Sequence, residues 1–170
     1  VSSFNLTLAN AALGDKVDSF PSLGFTPTGL AWVGQQLWLL DDAADYLLRI
    51  DPRSGLVDKA LFAGHGSLHD LTWTGSSLDL VAHAVNSQTK VITNTVNSLD
   101  PDTGQSVSNC TLPDVEAPNT KFQARALAWD GDHHWVSLVD VSSAGRLSRI
   151  LRLEATCSLV EQFVSPGRQT

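Results

Sequence analysis

The chain has 170 residues, 42% hydrophobic and 17% charged, a composition that supports one folded domain with a real core and excludes a disordered chain. Its net charge of −7, with no basic stripe to offset it, argues against a nucleic-acid partner. No apolar run approaches the ~18 residues a spanning helix needs, so no membrane span is expected. The nearest thing to a basic patch, Arg146, Arg149 and Arg152 in "RLSRILR", reads as scattered charge on a solvent-facing strand.

The chain opens at Val1 and contains no Met, which fits a removed leader and predicts a secreted, extracellular protein. Asn5 in "NLT" and Asn109 in "NCT" match the glycosylation sequon. Residues 1–23 can be laid against the text that precedes the second Trp: Val17 then matches Val57, and Phe4–Ala9 takes the place of a third strand. The opening segment is therefore expected to be half of a preceding unit, or else an extra edge strand.

Three units follow, at 24–64, 65–120 and 121–170. They are aligned on Trp32, Trp73 and Trp129, with the text "GLAWVGQQLWLL", "DLTWTGSSLDLV" and "ALAWDGDHHWVS". Each has Leu two before the Trp, a small residue just before it and Gly two after it (Gly34, Gly75, Gly131). Alternating apolar positions around a Gly turn predict a β-hairpin. The first two units then carry a strand, D-P-x-x-G and another strand. Asp51-Pro52 with Gly55, and Asp100-Pro101 with Gly104, are turn chemistry in which Pro sets φ and Gly takes the left-handed position. The third unit, "RLSRILRLEATCSLVEQFV", keeps both strands and loses that turn.

Four-strand units spaced 41 and 56 residues apart predict an all-β fold, a β-propeller of three to three and a half four-stranded blades. The pattern from "PTGLAW" to "LLRIDP" resembles NHL- and YVTN-type propeller repeats and the gluconolactonase and strictosidine-synthase relatives. That resemblance implies architecture first. The initial Trp of each unit should pack blade against blade. Trp38 and Trp135 are held less firmly by the pattern, because the second unit has Asp79 in their place; they would suit stacking on a sugar ring.

Propellers close with four to eight blades, so three leave two apolar faces uncovered, and such faces imply a partner. A homo-oligomer formed head to tail is the leading expectation, with another propeller-fragment chain, or a longer propeller of which this is a piece, as alternatives. A secreted structural or binding module follows. The competing reading is a portion of a lactonase- or hydrolase-type propeller enzyme, possessing a divalent metal.

Candidate ligand residues at the channel mouth are Thr28 with Asp41 and Asp42, His69 with His83, and Arg125 with Asp140. A metal set would draw on His65, His69 and His83, with a divalent ion such as calcium or zinc; the leading reading has no cofactor. The calcium-binding set implied by the gluconolactonase resemblance has no residue-by-residue match here, and no catalytic residue is assigned. His133 and His134 are placed in a hairpin turn, solvated or partly packed. Cys110 and Cys157 enclose 46 residues, and a bridge between them would contribute about 4 kcal/mol. In a ring the two fall on the outer strands of different blades, so an intrachain bridge is expected only in an irregular arrangement, and an interchain one in an assembly.

Overall fold

The computed structural model describes Ser19, Pro21 and residues 24–64, 66–115, 121–142 and 147–164. The proposed half-unit at 1–23 otherwise lies outside these residues, as do Asn5, His65 and Arg146. The described chain forms twelve strands and three four-stranded antiparallel sheets. The first sheet is β1 (Pro27–Val33), β2 (Gln36–Asp41), β3 (Tyr46–Ile50) and β4 (Val57–Phe62). The second is β5 (Ser67–Trp73), β6 (Leu78–Val85), β7 (Ile92–Leu99) and β8 (Ser106–Thr111). The third is β9 (Phe122–Trp129), β10 (His134–Asp140), β11 (Ser148–Leu153) and β12 (Leu159–Val164). Within each sheet the strands are hydrogen-bonded in chain order. The innermost strands β1, β5 and β9 lie side by side.

Turn chemistry sets this meander. Gly34, Gly75 and Gly131 all take positive φ in the inner hairpins, the region that a Cβ disfavours. In both D-P-x-x-G turns the Gly N–H donates to the Asp carbonyl at 2.8 Å. The Asp side chain also accepts from the backbone N–H of Arg53 in one turn and of Thr103 in the other. The third unit solves the same corner without Gly: Cys157 holds φ of 62° and its N–H donates to the carbonyl of Glu154.

Alternation along each strand sends side chains to opposite faces, and two cores result. Between the first and second sheets lie Trp38, Leu40, Leu47 and Leu61 against Leu68, Leu71, Leu78, Leu80 and Leu99. Between the second and third lie Val81, Val96 and Leu112 against Phe122, Leu127, Val136, Leu138, Leu151 and Leu153. Each large side chain so buried contributes roughly 1.5–3 kcal/mol.

Among the Trp residues the first unit departs from the expectation. Trp38 is the deeply buried one, 1% exposed, whereas Trp32 is 55% exposed. The reason is directional. The first Trp of a unit looks back: Trp73 packs on the core shared with the first sheet, and Trp129 packs on the ring of His134 at 4.7 Å. Trp32 looks back from the first sheet, where no other described sheet lies. The Leu two before each Trp repeats the lesson. Leu71 and Leu127 are 2% and 6% exposed, while Leu30 is 58% exposed. Trp38 and Trp135 look forward instead. Trp38 meets the second sheet and so presents no face to a sugar. Trp135 stacks on Phe163, with the Arg152 guanidinium over its ring.

Cys110 and Cys157 are bridged within the chain, with Cα atoms 5.9 Å apart. The arrangement is regular, contrary to the sequence expectation, because Cys157 is not on an outer strand. It sits in the turn between β11 and β12, the position Gly104 holds between β7 and β8. Cys110 on β8 stands across from Val96 just as Leu61 on β4 stands across from Leu47. At the first junction that pair of places is filled by Leu61 against Gly104, where an added Cβ would come within 3.2 Å of Leu61.

Candidate functional site

Each innermost strand carries one extra residue against its partner. The register steps from Pro27 to Gly29 in β1, from Leu68 to Asp70 in β5 and from Ala124 to Ala126 in β9. The bulged residues are thus Thr28, His69 and Arg125, three of the residues picked from sequence for the channel mouth. A bulge twists the strand and re-aims a side chain; here it does so at one level in three neighbouring sheets.

The far ends of the second strands carry Asp41, His83 and Asp140, at three successive registers: opposite Pro27, Ser67 and Phe122. In the outer two sheets this Asp is a backbone cap. Asp41 accepts from the N–H groups of Phe25 (2.7 Å), Thr26 (3.1 Å) and Ala43 (3.1 Å). Asp140 accepts from Ser142 at 2.8 Å and Lys121 at 3.4 Å. These bonds tie the entering chain to the turn after the strand.

The middle sheet carries a histidine pair. His83 is buried, and its Nδ1 lies 2.6 Å from Nε2 of His69, the two rings stacked 4.8 Å apart. Asp42 reaches over from the first sheet and accepts the Leu68 N–H at 2.6 Å. Arg125 approaches from the third sheet, its Nη1 3.3 Å from His69 Nδ1 and its Nη2 donating to Gln123 Oε1. Asp70 joins the second and third sheets by accepting the Leu127 N–H at 2.9 Å. Gly29 lies so close to Asp70 that a Cβ there would meet its backbone at 2.9 Å. Asp70 and Gln123 were not singled out in the sequence, where each is one polar residue among many.

Electrostatics keep both imidazoles neutral at pH 7. Burial pushes His69 down to about 4, helped by the Arg125 charge and by His83, with Asp42 pulling the other way. His83 is lowered by burial first and by Arg125 second. Burial raises Asp70 despite its two backbone donors. A guanidinium can only donate, and Arg125 Nη1 lies against the His69 ring, 3.3 Å from Nδ1 and 3.5 Å from Nε2. One of the two facing nitrogens, His69 Nε2 or His83 Nδ1, carries the proton of the bond between the rings. Neutral imidazoles are metal-ligand chemistry, yet among the described residues no three ligating side chains converge. His65, the remaining member of the expected set, lies outside them.

A second polar cluster lies at the opposite end of the hairpins, between the second and third sheets. His134 Nε2 is 2.7 Å from Asp79 Oδ2, both residues 2% exposed. Ser77 Oγ donates to the other Asp79 oxygen at 2.6 Å. The hairpin-turn placement of His134 is therefore corrected: it lies on β10, buried, facing back. His133 alone stays partly open, beside Asp130 and Glu154. Asp79 was visible as the odd residue at a Trp position; its partner, 55 residues away, was not.

No family model matches the sequence, and no curated protein matches it. Solved structures do. Glutaminyl cyclase of Myxococcus xanthus is similar over 80% of this chain and 51% of its own, at 16% identity and a TM-score of 0.58. Hydrazine synthase of Kuenenia stuttgartiensis is similar over 82% and 37%, at 16% identity and 0.59. The Cps50 (Swd1) β-propeller domain of Myceliophteria thermophila is similar over 83% and 43%, at 14% identity and 0.52. At such identities the likeness is one of fold, and the chain spans about half the length of these proteins or less. The three sheets are blades of a partial β-propeller.

Proposed function

We propose that this chain is a secreted propeller module with a structural or binding role, completed by a second copy of itself. The observation that carries the reading is the exposure of Leu30 at 58% against 2% and 6% for its counterparts Leu71 and Leu127. The same repeated residue is a core residue wherever a blade precedes it. Around Leu30 the first blade's backward face also carries Trp32, Tyr46 and Phe62, all exposed. The third blade's forward face carries Trp135, Ile150 and Phe163, partly buried, and Val139, exposed. Both internal junctions join a forward face to a backward face, so the same contact between copies extends the repeat. Two copies of three blades make six, within the four to eight at which propellers close.

Secretion is supported by the bridge between Cys110 and Cys157, which oxidising compartments favour. It is also supported by the exposed sequon residue Asn109 on the outermost strand of its blade. The repeat text supports a place among NHL- and YVTN-type propellers. A photo-crosslinking amino acid at position 30 tests the assembly. Crosslinks between chains to peptides bearing Trp135 or Val139 are expected. Crosslinks only within one chain would overturn the two-copy ring.

A further inference from the structure

The arginines of this chain are held in different ways, and the difference singles out Arg125. Arg49 pairs with Asp58 at 2.7 Å, and Arg152 with Glu161 at 3.5 Å. Arg149 donates to the carbonyl of Ser148 and lies over the ring of Phe122. Arg125 instead is held by two neutral groups, the amide oxygen of Gln123 and the imidazole of His69. Among the described residues no carboxylate is within ion-pair distance of it. It is exposed, and it stands on the bulge of the innermost strand beside the bulges of two other blades. The guanidinium is therefore oriented without being neutralised.

The support behind it is built for that purpose. His83 stands where the first blade has Asp42 and the third has Val139, and its ring is bonded to that of His69. The bond to His83 holds the His69 ring in place, and the Arg125 guanidinium rests against that ring. Asp42 and Asp70 are both turned to backbone N–H groups. A fixed guanidinium with free N–H donors matches the geometry of a carboxylate, which it can grip through two parallel bonds.

We infer that Arg125, oriented by the His69–His83 pair and by Gln123, is the anchor for a small carboxylate-bearing ligand at the propeller mouth. The inference rests on the mouth being the binding face, and not on how the ring is completed, because all four residues belong to one chain. The Arg125 charge disfavours protonation of His69 and His83, and a bound carboxylate, by partly offsetting that charge, eases protonation of both imidazoles.

The test is a titration with acetate against acetamide, its neutral counterpart, at constant ionic strength, read from the side-chain NMR signals of labelled histidines. Acetate is expected to shift His69 and His83 and to raise the pH at which they protonate; acetamide is expected to do neither. His134, buried at the other end of the hairpins, serves as the internal control. Gln123→Glu places a carboxylate beside the same guanidinium and should weaken acetate by about tenfold or more while leaving the His134 signal in place. Arg125→Gln should abolish the response. Identical effects of acetate and acetamide, or an acetate response that survives Arg125→Gln, would overturn the inference. So would stoichiometric zinc binding through His69 and His83 without an acetate response. None of these outcomes depends on molar mass, so failure here is separable from failure of the two-copy ring.

Discussion

The two blade junctions share one geometry and differ in chemistry. At the first, Trp38 looks forward onto Leu78 in an apolar core, and Lys59 clamps the rim by donating to the carbonyls of Pro101 and Asp102 at 3.1 and 2.6 Å. At the second, Asp79 stands at the Trp position and binds His134, which stands at the Leu78 position. The rim there is clamped by the disulfide, whose two cysteines stand where Leu61 and Gly104 stand at the first. Both junctions have an apolar core, and the second adds to it a buried polar pair and a covalent bridge. Short connections between Phe62 and Ser67 and between Thr111 and Phe122 already make successive blades neighbours, so the polar pair and the bridge act on how firmly the second junction is held.

The largest expected effect comes from breaking the polar pair on one side. His134→Leu leaves Asp79 buried with Ser77 as its remaining side-chain partner, and Asp79→Leu strands His134. Each should cost about 3 kcal/mol or more in denaturant unfolding. The double replacement makes the second junction resemble the first and should cost much less than the sum of the two. A strictly additive cycle would show that the pair does not act as a unit. Next in size is the rim. Replacing Cys110 and Cys157 by Ser should cost about 2–4 kcal/mol, whereas Lys59→Ala, which removes the first junction's clamp, should cost under about 1 kcal/mol. Equal losses would remove the distinction between the two rims.

What was legible in the sequence follows from what is local. The Leu-x-Trp-x-Gly text and the D-P-x-x-G turns are read within a dozen residues, and they place strands and hairpins. The mouth residues Thr28, His69 and Arg125 were legible because the alignment puts them at one position of the unit, even though the bulge that aims them was not. Burial was less legible, because it depends on which neighbour each face has. Trp32 and Trp73 stand in the same text and differ only in whether a blade lies behind them. Pairs across a junction leave no local trace: Asp79 and His134, or Cys110 and a Cys157 displaced into a turn, belong to separate units.

A smaller effect concerns the mouth. Folded His69 titrates at about 4 and the unfolded side chain near 6.5. Between those values the unfolded chain binds more protons, so stability falls as the pH drops from 6.5 toward 4. His83, also lowered, adds to this; Arg125 opposes its protonation and Asp42 favours it. Asp70, raised by burial, acts in the opposite sense once the pH approaches its own range. His69→Gln should therefore shrink the drop in Tm between pH 7 and pH 5, and an unchanged drop would place the pH dependence elsewhere.

The most direct test of the account is the molar mass of the intact chain by light scattering, beside that of Leu30→Arg. The native chain is expected at twice its 18.2 kDa, and Leu30→Arg, which puts a charge on the backward face of the first blade, at 18.2 kDa with its strand content retained. A native chain that remains a folded monomer across the concentration range would contradict completion by a second copy.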